Sequence, residues 1–131
     1  MQYRLEIDNA FGHTLRVSMT ISGYDKDKPL DVAMPAWAPG AYHLTVPARN
    51  LERMDATAAG QALRMQQLDR QTWRVLAPTG VPVTVSYTCF HRKPSVVTSH
   101  VSSDYAGING FDTFLYVVGN LGVASTVTVK P

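Results

Sequence analysis

Apolar and polar residues alternate with a strict period of two at the start of the chain. Tyr3, Leu5 and Ile7 alternate with Arg4, Glu6 and Asp8, and Leu15, Val17, Met19 and Ile21 alternate with Arg16, Ser18 and Thr20. A helix would place its apolar residues three and four apart, so this spacing predicts half-buried β-strands. Similar runs at 63–68, 72–76, 82–90, 113–118 and 125–129 predict further strands. The segment 50–59 is ambiguous. Its Leu51, Met54, Ala58 spacing suits a helix, whereas Leu51, Arg53, Asp55 and Thr57 would line one strand face. Gly- and Pro-containing breakers at 23–29, 38–40, 58–60, 78–80 and 107–110 separate the runs and read as turns. Strands at this spacing, without a long helical pattern, predict an all-β fold: an antiparallel β-sandwich forming a single domain. Matched parity places Leu5, Val17, Val83, Val85, Tyr87, Phe114, Tyr116 and Val127 in its core.

The bulk numbers agree. A chain of 131 residues is one domain's length, and 45% hydrophobic with 17% charged residues is globular composition. Twelve basic against ten acidic residues leave +2, with the densest basic clusters at Lys26/Lys28 and Arg92–Lys93. No basic stripe follows from this distribution, which argues against nucleic acid as a partner. No apolar run reaches the roughly 20 residues of a membrane span, and the N-terminus lacks the apolar core of a signal peptide. The expected location is cytoplasmic.

Candidate chemistry is sparse. The single cysteine, Cys89, shares parity with Val83, Val85 and Tyr87, which predicts a buried thiol. His13, His43, His91 and His100 lack the i, i+4 spacing of a helical zinc motif, and neither Glu6 nor Glu52 neighbours a histidine. No metal site is expected. Ser99, His100, Ser102, Ser103 and Asp104 supply the letters of a catalytic triad. Sequential neighbours on a strand point to opposite faces, so a polar loop is the better reading.

The segment Met34-Pro-Ala-Trp-Ala-Pro-Gly-Ala-Tyr42 stands out. Pro39 and Gly40 fix a sharp excursion, and Trp37 and Tyr42 carry large apolar faces with polar tips. They read as a strand-end turn whose aromatics plug the sandwich, or as an aromatic platform for a sugar or peptide. Trp73 reads as a core anchor after a hairpin turn.

Pro35-Ala-Trp-Ala-Pro-Gly-Ala-Tyr42, Ala48-Arg-Asn50 and Met54-Asp-Ala56 together resemble the signature of the glycyl aminopeptidase family, with support from Gly60, Asp69, Trp73 and Asn109-Gly110. Where that family often has Ser-Val-Arg, this chain has Ser95-Val96-Val97, without the arginine that would meet a carboxylate. The resemblance implies bacterial zinc metallopeptidases with a β-rich N-terminal domain, a thermolysin-like catalytic domain and a PDZ domain. By that resemblance the chain is the non-catalytic N-terminal β domain, inactive alone and without a cofactor of its own. The zinc-binding His-Glu-x-x-His segment and the PDZ domain are expected beyond Pro131. Expected partners are the downstream catalytic domain of the same polypeptide, whose cleft this domain helps shape, and the peptide substrate. The loop 102–110, with Asp104, Tyr105 and Asn109, is the candidate for meeting the substrate's free amino group. The alternative is a free-standing module binding carbohydrate or peptide through exposed aromatics.

Overall fold

The N-terminal alternation folds into β1 (Gln2–Asn9) and β2 (Thr14–Ile21), an antiparallel pair in the computed structural model, which describes residues 1–130. The other strands are β3 (Leu30–Ala33), β4 (Leu51–Ala58), β5 (Gln61–Ala62), β6 (Met65–Gln67), β7 (Thr72–Val75), β8 (Val83–Phe90), β9 (His100–Val101), β10 (Ala106–Gly107), β11 (Tyr116–Val117) and β12 (Thr126–Lys130). A helical turn, α1 (Gly110–Thr113), and a 3₁₀ turn at Pro47–Asn50 interrupt them.

The strands form a six-stranded sheet in the order β12-β1-β2-β8-β4-β5, a four-stranded sheet in the order β11-β3-β7-β6, and the small β9–β10 pair. One apolar cluster takes Leu5, Val17 and Val85 from the large sheet and Leu30, Val32 and Val75 from the smaller one, so the two sheets enclose a common core. This is the predicted all-β sandwich. Its strand pairs are antiparallel except β1–β12, which run parallel.

The ladder β1-β2-β8 follows the predicted parity. Leu5, Val17, Val83, Val85 and Tyr87 are at most 2% exposed, and Cys89 is fully buried. The ambiguous segment 50–59 is a strand over Leu51–Ala58, with a register irregularity between Glu52 and Asp55 and Arg53 in a left-handed conformation (φ 50°). A bulge inserts an extra residue and shifts the apolar phase, which explains the helix-like gap between Leu51 and Met54. Strand β3 has no counterpart among the predicted runs.

Two expectations about the core need correction. In 113–118 the buried apolar residues are Leu115 and Val117, whereas Phe114 and Tyr116 are only half-buried. The segment enters from α1 and not from an extended strand, and this sets its phase one residue away from the predicted one. Val127 is 49% exposed. Its parity is right, because Val127 pairs with Tyr3 and Val129 with Leu5, both inward-facing. What is missing is cover: β12 is an edge strand, and all five of its residues are exposed.

Candidate functional site

The excursion after β3 is tied at its base by Thr45 N–H donating to the Ala36 carbonyl (2.8 Å) and turned at its tip by Ala41 N–H donating to the Ala38 carbonyl (3.1 Å). Pro39 and Gly40 occupy the two central positions, with Gly40 at φ 85°. That placement suits a type II turn, in which proline presets the first position and glycine tolerates the positive φ of the second. Pro39 and Gly40 therefore shape the backbone. The aromatics do not plug the sandwich. Trp37 is 52% exposed and Tyr42 is 93% exposed, while Met34 and Ala38 are the residues buried at this corner. The chain has already left the sheet at Met34, so the rings beyond it have no opposing layer to enter. Trp73 does pack against the core.

In the loop 102–110, Ser102 organises a tight turn: its hydroxyl accepts from Asp104 N–H (3.4 Å) and Tyr105 N–H (3.2 Å). Asp104 is exposed. Tyr105 packs against His100, with ring centroids 5.1 Å apart. Asn109 is engaged at both ends of its amide, with Oδ1 accepting from Phe111 N–H (3.1 Å) and Nδ2 donating to the Val97 carbonyl (3.2 Å). It is the N-cap of α1, satisfying one of that turn's free donors. Tyr105 and Asn109 line one shallow groove with His100 and Ile108, and Asp104 lies outside it. Of the predicted trio, Asp104 alone presents a carboxylate to solvent.

The most concentrated polar chemistry is buried beneath this loop. Asp112, 2% exposed, accepts from Ser99 N–H (2.7 Å) and Ser99 Oγ (2.5 Å), with Thr113 Oγ1 at 3.2 Å. His91 Nδ1 stands 3.7 Å from the same carboxylate. Burial depresses the His91 pKa, and the Asp112 charge opposes that shift. Serine, aspartate and histidine are thus together, but in the wrong order for nucleophilic catalysis. The carboxylate sits between serine and imidazole, whereas an acyl-transfer triad needs the imidazole in the middle to take the serine proton. Ser99 is also 1% exposed. The group is a clasp that ties the 91–99 segment to α1. Asn109 followed by Asp112 is the sequence signal for the start of α1, not for the clasp.

Among the described residues no further nucleophile or metal centre emerges. Burial pushes the Cys89 thiol far above its ordinary range, so it carries no thiolate. Among the described residues no three His, Cys, Asp or Glu side chains gather to hold a metal ion. His13 and His100 have ring centroids 6.3 Å apart, and His13 Nδ1 is bound to the Val101 carbonyl (2.6 Å), but no third His, Cys, Asp or Glu side chain among the described residues joins them. Among the described residues no helix is long and apolar enough to cross a membrane.

Comparison with known proteins bears on the family and on the fold. The sequence profile described as Peptidase M61 N-terminal domain matches residues 2–131. A solved structure described as an aminopeptidase N family protein from Idiomarina loihiensis superposes with a TM-score of 0.88 at 22% identity, covering 99% of this chain and 22% of that one. The chain therefore spans about a fifth of that protein's length, and at this identity the likeness speaks for the fold. No curated protein matches by sequence.

Proposed function

Since the chain belongs to the family of peptidase M61 N-terminal domains, with the match running over residues 2–131, we propose that it is the non-catalytic N-terminal β domain of a zinc aminopeptidase of the glycyl type. In this reading it packs against a downstream catalytic domain and forms one wall of the substrate cleft, with a PDZ domain further along the polypeptide. The observation that carries the reading is the uncovered inner face of β12. Val127 and Val129 point to the core side of the sheet, beside Tyr3 and Leu5, yet are 49% and 61% exposed. Nearby in sequence, Leu121 is 78% exposed. Apolar residues aligned with a core but lacking a covering layer mark a surface that another body completes.

Within such an enzyme Asp104 is the residue offered to the substrate's ammonium group, while Asn109 holds the loop through its cap. The test compares the 131-residue chain with the longer polypeptide carrying the catalytic domain, using glycyl and alanyl reporter peptides and metal analysis. The chain alone is expected to be inert and zinc-free, and the longer protein active. Asp104→Asn in the latter should weaken kcat/KM for free-amine substrates more than for N-blocked ones. One zinc per chain and chelator-sensitive turnover in the short form would overturn the proposal. The exposure of Trp37 and Tyr42 favours a second reading, a free-standing sugar- or peptide-binding module. Saturable binding of an oligosaccharide, lost in Trp37→Ala, would select it.

A further inference from the structure

The antiparallel register of β4 and β8 pairs Leu51 with Cys89. Continued past the strand ends, it sets Asn50 and Arg49 of the 3₁₀ turn across from Phe90 and His91. Together with Arg92 and Lys93 these residues line an open cleft of about 580 Å³, within the range of small-ligand pockets. Among the described residues no acidic side chain lines it. Among the described residues Arg49, Arg92 and Lys93 form no ion pair, although five of the six recorded ion pairs engage other Lys or Arg residues.

The cleft's buried member adds an independent observation. The His91 side chain is 1% exposed and its Nδ1 edge faces Asp112. Its Nε2 is buried with no hydrogen-bond partner. A buried polar atom without a partner is uncommon and calls for a hydrogen-bonding group to meet it. Asp112 behind it is 2% exposed, and among the described residues its carboxylate pairs with His91 and with none of the three cleft cations.

We infer that this cleft is a binding site for an acidic peptide segment, with Arg49, Arg92 and Lys93 receiving its carboxylates and His91 closing the floor. Guanidinium groups match carboxylates with two parallel hydrogen bonds, and Phe90, 38% exposed, offers the carbon skeleton an apolar wall that a bare inorganic anion would not use. The inference goes beyond the role assigned to the domain above and does not depend on it.

The test is a titration of the isotope-labelled 131-residue chain with N-acetylated, C-amidated triglutamate, following the His91 ring and the amides of 91–99 by NMR. Saturable shifts are expected with triglutamate and none with the equally capped triglutamine. Arg49→Gln/Arg92→Gln/Lys93→Gln should weaken binding by about tenfold or more while the melting temperature stays unchanged. Should Arg49→Gln disturb the 3₁₀ turn, Arg92→Gln/Lys93→Gln carries the same test on exposed residues. Absence of saturable shifts, equal binding of triglutamine, or unchanged binding by the variants would each overturn the site. Inorganic phosphate binding as tightly as triglutamate would overturn its assignment to a peptide.

Discussion

Tyr87 shows how one residue can hold two layers in place. Its ring is 1% exposed on β8, and its hydroxyl donates to the Thr113 carbonyl (2.9 Å) while accepting from Leu115 N–H (3.1 Å). Both partners lie where α1 gives way to the following strand, so the hydroxyl supplies the bonds that an interrupted ladder lacks. Tyr87→Phe keeps the ring but leaves the buried Leu115 N–H unpaired and the Thr113 carbonyl with only the weak Cys89 Sγ–H donor (3.9 Å), and should cost about 1–3 kcal/mol in urea unfolding. Trp37→Ala is the contrasting case. With the ring half in solvent, it should change stability by about 1 kcal/mol or less, not the roughly 3–5 kcal/mol of a buried aromatic. At this scale the sequence was legible where parity decides, as at Val85 or Cys89. It was not legible where a side chain meets a distant loop. Nothing in the spacing of Ser99 and Asp112 announces that they share two hydrogen bonds.

Among the elements, β2 and β8 were readable because both faces of each strand have clear requirements. Strand β4 was not, since its bulge changes the apolar spacing from two to three and imitates a helix. β3 is only four residues long, too short for a period to register. Strand β12 illustrates a different limit: its alternation gives the face but not whether anything lies above that face. Its residues are all exposed, and it contacts the sheet only along β1. Amide exchange in the 131-residue chain should therefore be faster in β12 than in β2 or β8, whose ladders are flanked on both sides. Equal protection of the three strands, measured by hydrogen exchange, would contradict this.

For the whole molecule, the buried ionisable groups set the response to alkali. Burial raises the pKa of Cys89, of Tyr87 and, less deeply, of Tyr3. In the unfolded chain a thiol ionises near pH ~8.5 and a phenol near ~10. Above those values the unfolded state has released protons that the folded state retains, so stability is full below pH ~8.5 and falls as pH rises. Urea midpoints measured between pH 8 and 10.5 should decline, and Cys89→Ala should flatten the first part of that decline despite a lower starting stability. The parallel pairing of β1 with β12 has another consequence at this scale. Gln2 meets Thr126, and the Met1 ammonium donates to the Ala124 carbonyl (2.9 Å). The ladder therefore joins segments separated by nearly the entire chain, and contacts of such high order form slowly. On the ribosome, β1 is made well before β12. Until β12 emerges, β1 carries an open strand edge, available to chaperones or to another copy.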